Sequence, residues 1–238
     1  MRSLTVIIPS KTASNFRGCY GAVKQFNEEA EIVLINDGVS PLPIMPDLNV
    51  IPGVRPFCFA RNVNLGIQAR PDSDVVILND DAILETPGGF SLLQRAAEEN
   101  PEYGIIAATT NITGNPNQKP KGIGLREEPR IVPFIAVLLP RRTIERVGLL
   151  DERFGGLDEH GRPIYGFEDN DYCRRVRKAG LKIGIHDGCF VDHGKLRPTF
   201  RGEAHAPGDT RAGARLYLAK WRDELEPEEL QVIQRMAA

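Results

Sequence analysis

The chain has 238 residues, a formal net charge of −2 and four scattered cysteines with no CxxC pair. That length holds one large domain or two small ones. The near-neutral charge gives no global sign of nucleic-acid or membrane binding, and the cysteine spacing suggests neither a zinc site nor a disulfide framework. Hydrophobic content of 41% and charged content of 26% are ordinary for a globular protein. The N-terminus runs directly into Leu4-Thr5-Val6-Ile7-Ile8 with no signal-peptide pattern. The longest apolar run, Ile131 to Leu139, is broken by Pro133 and too short to cross a bilayer. A cytoplasmic protein with reduced thiols is expected.

In chain order, Leu4–Ile8, Glu31–Ile35 and Asp74–Leu78 are β-branched apolar runs bounded by turn residues, and read as buried parallel strands. Tyr20–Ala30, Phe59–Ala69 and Phe90–Glu99 read as the helices between them. This alternation predicts an α/β fold with a mostly parallel sheet and helices on both faces. Ligands in such sheets bind at the carboxyl ends of the strands. Those ends carry Ser10-Lys11-Thr12, Asn36-Asp37-Gly38 and Asn79-Asp80-Asp81. Further on, Gly104–Ala108 and Ile131–Leu139 read as strands and Arg141–Val147 as a short helix. Gly148–Tyr165 reads as loop, and Leu181–Ile185 and Cys189–Val191 as strands. One or two helices close the chain, with Pro227-Glu228-Glu229 a clear helix start.

Three constellations carry chemistry. Glu168, Asp169 and Asp171 open a helix whose buried face is Tyr172, Val176 and Ala179 and whose stop is Gly180. Carboxylates at a helix N-terminus stay ionised and suit a general base, although plain capping gives the same composition. Asn79-Asp80-Asp81 ends a strand in oxygen donors that suit Mg²⁺ or Mn²⁺, or form an Asx turn. His193 follows a strand and is followed by Lys195 and Arg197, a basic loop that either meets a diphosphate or is simply solvated.

The ordered set is more specific than its parts. It runs strand-Pro-Ser, strand-Asn-Asp-Gly, then Ala60-Arg61-Asn62-Val63-Asn64-Leu65-Gly66 and strand-Asn-Asp-Asp. It continues with Val147-Gly148-Leu149-Leu150-Asp151-Glu152-Arg153-Phe154, Phe167-Glu168-Asp169-Asn170-Asp171 and His193. Over about residues 4 to 200 this resembles the family 2 inverting glycosyltransferases of the GT-A fold.

The resemblance implies a single GT-A domain over 1–205, with a nucleotide-sugar half at 1–110, an acceptor and catalytic half at 111–205, and a helical tail at 206–238. It implies that Pro9, Ser10 and Thr12 contact the nucleotide and that Asp37 reads the base edge. Arg61 and Asn62 match the helix start beneath the nucleotide. Asn79-Asp80-Asp81 takes the place of the Asp-x-Asp motif, with Asn79 replacing the usual first aspartate. Asp81 and His193 are then the ligands of a Mn²⁺ or Mg²⁺ ion, and Asp169 is the catalytic base. Glu168 and Asp171 orient the acceptor or support the helix end, and Lys195 or Arg197 assists the diphosphate. The partners implied are a UDP- or dTDP-sugar donor and a hydroxyl acceptor, a glycan first. The basic stretch from Lys195 to Arg222 leaves a nucleic-acid acceptor open, and a non-catalytic nucleotide-sugar- or glycan-binding module is the alternative from another class. Glycines at 194, 202 and 208 suggest that His193 to Gly208 closes as a lid over the diphosphate.

Overall fold

The computed structural model describes residues 2–55, 57–158, 160–161, 164–197 and 210–238. The first half follows its apolar runs. Strands β1 (Leu4–Ser10), β2 (Glu31–Asn36), β3 (Asn49–Pro52) and β4 (Asp74–Leu78) pair in parallel in the order β3-β2-β1-β4. Helices α1 (Ala13–Phe26) and α2 (Phe59–Ala69) connect them, and α3 (Gly89–Glu99) follows β5 (Ile83–Leu84).

Side chains alternate across the sheet, as strand geometry requires. Val6, Ile8, Leu34, Val76 and Leu78 pack with Phe16 of α1 and Phe90 of α3 on one face. Ile7, Val33, Ile35, Val75 and Ile77 pack with Val63 and Ile67 of α2 on the other. Gly66 lets α2 approach closely, because a Cβ there would meet the Ile7 side chain at 2.7 Å.

The second half departs from a parallel sheet. Strand β6 (Tyr103–Thr110) is followed by β7 (Leu125–Glu127), β8 (Ala136–Leu139), α4 (Arg141–Val147), α5 (Glu168–Lys178) and β9 (Lys182–Asp192). β8 is inserted antiparallel between β4 and β6, β9 lies parallel to β6, and β5 and β7 pair antiparallel with β9. The expected parallel arrangement therefore holds for β1 to β4, and the sheet is mixed beyond them.

Several boundaries shift for physical reasons. The run Ile131–Leu139 is strand only from Ala136, because Pro133 has no N–H to give and its carbonyl accepts Ile135 N–H in a turn. Helix α1 starts at Ala13 rather than Tyr20; the buried stripe Phe16, Cys19, Ala22 and Val23 outweighs Gly18 and Gly21. The two segments expected around Gly188 are one long strand, irregular where Ala108 and Thr109 meet His186 and Phe190. β3, β5 and β7 are too short or exposed to leave an apolar run.

Helices α6 (Thr210–Trp221) and α7 (Pro227–Ala237) pack on the start of α5. Phe154 and Phe167 join Ala214, Tyr217, Trp221 and Ile233 in a third apolar cluster. At its centre is Asp171, whose carboxylate is fully buried. Arg175 Nε donates to its Oδ2 at 2.8 Å, and Trp221 Nε1 to its Oδ1 at 2.9 Å. Lys220 Nζ lies 2.6 Å from the same Oδ1 and 2.8 Å from Asp151 Oδ2. Among the described residues no helix is long and apolar enough to cross a membrane.

Removing one member of such a buried network leaves charges and donors unpaired. Asp171→Ala is expected to lower the unfolding free energy by about 3–5 kcal/mol in urea titrations. Lys178→Ala removes an exposed ion pair with Glu224 and a cation–π contact 5.4 Å from the centre of the Trp221 ring, and should cost only about 1 kcal/mol.

Candidate active site

The carboxyl ends of the strands and the start of α5 enclose a cleft of about 420 Å³. Pro9, Asn79, Asp80, Asp81 and His193 line it together with Glu168 and Asp169. Phe57, Phe59, Phe134 and Tyr165 supply aromatic walls. These rings have no motif of their own, and only the strand order brings them to the carboxylates.

The Asn79-Asp80-Asp81 segment is a turn that lines the cleft. Asn79 N–H donates to Ile135 O at 2.9 Å, and Ala82 N–H closes the turn on Asn79 O at 3.1 Å. The Ser10 hydroxyl donates to Asp80 Oδ2 at 2.6 Å and fixes that carboxylate on β1. From below, the buried Cys19 thiol sits 3.0 Å from Asp80 O and 3.2 Å from Ala82 O. Burial raises the thiol's pKa, and the Asp80 and Asp81 carboxylates add to the effect.

Asp81 faces His193. Nε2 of His193 lies 3.0 Å from Asp81 Oδ1, and Nδ1 lies 2.9 Å from Ile112 O. A carbonyl can only accept, so Nδ1 carries a proton and Nε2 of the neutral ring is a bare lone pair. A lone pair facing a carboxylate oxygen calls for a positive charge between them, either a proton or a cation. An imidazole nitrogen and a carboxylate oxygen form a donor set that fits Mn²⁺. Among the described residues no third His, Cys, Asp or Glu converges on the pair. A metal here would keep positions for phosphate oxygens and water, the usual pattern for cations shared with phosphates.

Across the cleft, α5 starts abruptly. Its N-cap, Phe167, has a left-handed φ of 74°. The strain is held by packing: Phe167 is buried with its ring 5.3 Å from that of Tyr217. α6 lies hard against this turn, since a Cβ on Gly213 would meet Tyr165 O at 2.6 Å. Burial raises the pKa of both Glu168 and Asp169, and in Glu168 the neighbouring Asp169 charge adds to it. Asp169 accepts Asn170 N–H at 2.7 Å, which favours its ionised form. Glu168 Oε2 is buried with no hydrogen-bond partner among the described residues. Of the two, Glu168 holds the proton more firmly and Asp169 carries the charge.

The other sequence-predicted residues divide. Asp171 does not face the cleft; two residues beyond Asp169 the helix has turned it toward α6, so of its two expected roles it fills the helix-supporting one. Arg61 and Asn62 also make contacts within the fold. Arg61 Nε donates to Glu152 Oε2 at 3.2 Å, and Asn62 Oδ1 accepts Val54 N–H at 3.0 Å. Thr12 is the N-cap residue of α1. Asp37, beside Ser10, is buried with Oδ1 lacking a hydrogen-bond partner among the described residues. Desolvation raises its pKa, against the pull of Arg55 and Lys11. Lys195 pairs with Glu85 at the surface, and Arg197 is exposed. Part of the basic stretch up to Arg222 is internal, as Lys220 shows. Most of the expected lid, residues 198–208, lies outside the described residues.

No protein-family model matches the chain, and no curated sequence relative does. Solved structures do match. GalNAc-T7 with UDP, GalNAc and Mn²⁺ superposes with a TM-score of 0.69 over 94% of this chain at 12% identity. The mannosyltransferase PcManGT from Pyrobaculum calidifontis, with GDP-Man and Mn²⁺, gives 0.65 over 99% at 15% identity. The match spans 50% of the GalNAc-T7 chain and 68% of PcManGT. The fold is that of GT-A glycosyltransferase domains.

A carboxylate whose native pKa is raised adds stability below its unfolded pKa, about 4.3 for glutamate, and loses it as pH rises through the native value. At pH 8 Glu168 therefore works against folding. Glu168→Gln is expected to raise the unfolding free energy there by about 1 kcal/mol or more, the scale of one pKa unit. The gain should vanish near pH 4 when denaturant curves of variant and wild type are compared.

Proposed function

We propose that the chain is a metal-dependent inverting glycosyltransferase of the family 2 type, moving a sugar from a UDP- or dTDP-sugar to a glycan hydroxyl. The observation that carries this reading is one cleft with Asp169 on one side and the Asp81–His193 pair on the other. A hydroxyl is a weak nucleophile at neutral pH, and the Asp169 carboxylate, made more basic by burial, can take its proton as it attacks the anomeric carbon. Glu168, neutral beside it, can donate a hydrogen bond to the acceptor without competing for that proton. Attack from the face opposite the leaving diphosphate inverts the anomeric centre.

Asp81 and His193 would hold the divalent cation, Mn²⁺ or Mg²⁺. When bound, that ion supplies Lewis-acid stabilisation to the departing diphosphate. Lys195 and Arg197 follow His193 in the chain and add positive charge to the same edge. Pro9, Ser10 and Thr12 form the floor for the nucleoside. Asp37 offers an unpartnered carboxylate oxygen that suits the N3–H of uracil or thymine. The bulky aromatic walls leave room for an acceptor ring next to Asp169 and exclude water from it.

Asp169→Asn should retain donor binding and lose transfer by roughly 10²-fold or more in a product assay. Transfer by wild type should fall as pH drops through the raised Asp169 pKa, placing the acid limb above the ordinary aspartate range. Proton NMR of the product should show the anomeric configuration opposite to the donor's; retention would overturn the single displacement. Activity should vanish in EDTA and return with Mn²⁺ or Mg²⁺. Asp37→Ala should weaken UDP binding by roughly ten- to a hundredfold, the scale of one charged hydrogen bond, and calorimetry with UDP and GDP reads this directly.

A further inference from the structure

The Asp81–His193 pair rests on a residue outside every motif. β6 and β9 run parallel, with Thr110 opposite Val191, so the residues that follow both strands meet just beyond the sheet. Asn111 is the first residue past β6, and His193 the first past β9. Asn111 Oδ1 accepts His193 N–H at 2.8 Å. Its amide nitrogen bonds the Asp192 carboxylate, and that carboxylate accepts Gly194 N–H at 2.7 Å and Lys195 N–H at 3.1 Å through Oδ1. The next residue, Ile112, takes the Nδ1 proton of His193 on its carbonyl. Backbone and ring of His193 are thus both held by the two residues that follow β6. The task at position 111 needs an acceptor for an amide and a donor for a carboxylate on one short side chain, which asparagine supplies. Gly194 packs closely on the same two residues, since a Cβ there would lie 3.0 Å from Ile112 Cδ1 and 3.4 Å from Asn111 Nδ2.

We propose that Asn111 is the positioning residue of the cation site, setting His193 so that Nε2 meets Asp81. The role rests on the metal reading above and acts on affinity rather than on chemistry. Groups that orient metal-binding histidines carry about 10- to 100-fold in affinity.

The test is a Mn²⁺ titration of the full chain followed by electron paramagnetic resonance of the free ion, with saturating UDP and in parallel with GDP. His193→Ala and Asn111→Ala should each weaken Mn²⁺ by roughly 10- to 100-fold. The double variant should bind no more weakly than His193→Ala alone, because Asn111 acts through that ring. Asn111 is exposed, so metal-free Asn111→Ala should melt within a few degrees of wild type. Unchanged affinity in Asn111→Ala, additive losses in the double variant, or unfolding of the single variant would each overturn the proposal. If His193→Ala binds Mn²⁺ as wild type does, the metal reading itself falls and this role with it.

Discussion

The second half of the molecule depends on how α5 is held. Its first turn must place two carboxylates in the cleft, although Phe167 enters the helix in a strained conformation. That conformation persists because the next turn is anchored. Asp171 is buried and bound by Arg175, Lys220 and Trp221, and Phe167 packs on Tyr217. Such backbone strain survives only where the surroundings over-determine it. The helices at the C-terminus are therefore part of the support of the cleft, although none of their described residues lines it.

The charge balance of the cleft follows from the same placement. Asp80, Asp81, Glu168 and Asp169 line it, and no lysine or arginine does among the described residues. Such a cleft repels a bare diphosphate. A donor entering it must bring compensating positive charge. Burial raises the Glu168 pKa, the neighbouring Asp169 charge adds to it, and one member of the pair is neutral.

Much of this was legible in the sequence. The three β-branched runs gave the parallel strands, and their polar ends marked the cleft, because chain direction alone decides which end of such a strand faces a ligand. The Glu-Asp pair and His193, singled out by residue type and order, line one cleft. Asp171 was visible as a carboxylate but not as a structural one, since its partners Lys220 and Trp221 lie some fifty residues further along the chain. Asn111 left no local signal at all. A lone asparagine after a strand is ordinary, and its meaning appears only with the β6–β9 register. The aromatic walls were equally silent, being contributed by the start of α2 at Phe57 and Phe59 and by distant loops at Phe134 and Tyr165.

The spacing within α5 carries one more consequence. An α-helix turns about 100° per residue, so the two-residue step from Asp169 to Asp171 swings the side chain by roughly 200°. One carboxylate faces the cleft and the other the C-terminal helices because of that angle alone. The pair works like a key cut on two sides: its bite in one lock fixes its orientation in the other. A single residue inserted between them would turn the helix so that only one of the two could be seated. The spacing of these two carboxylates is therefore set by the two faces they serve at once.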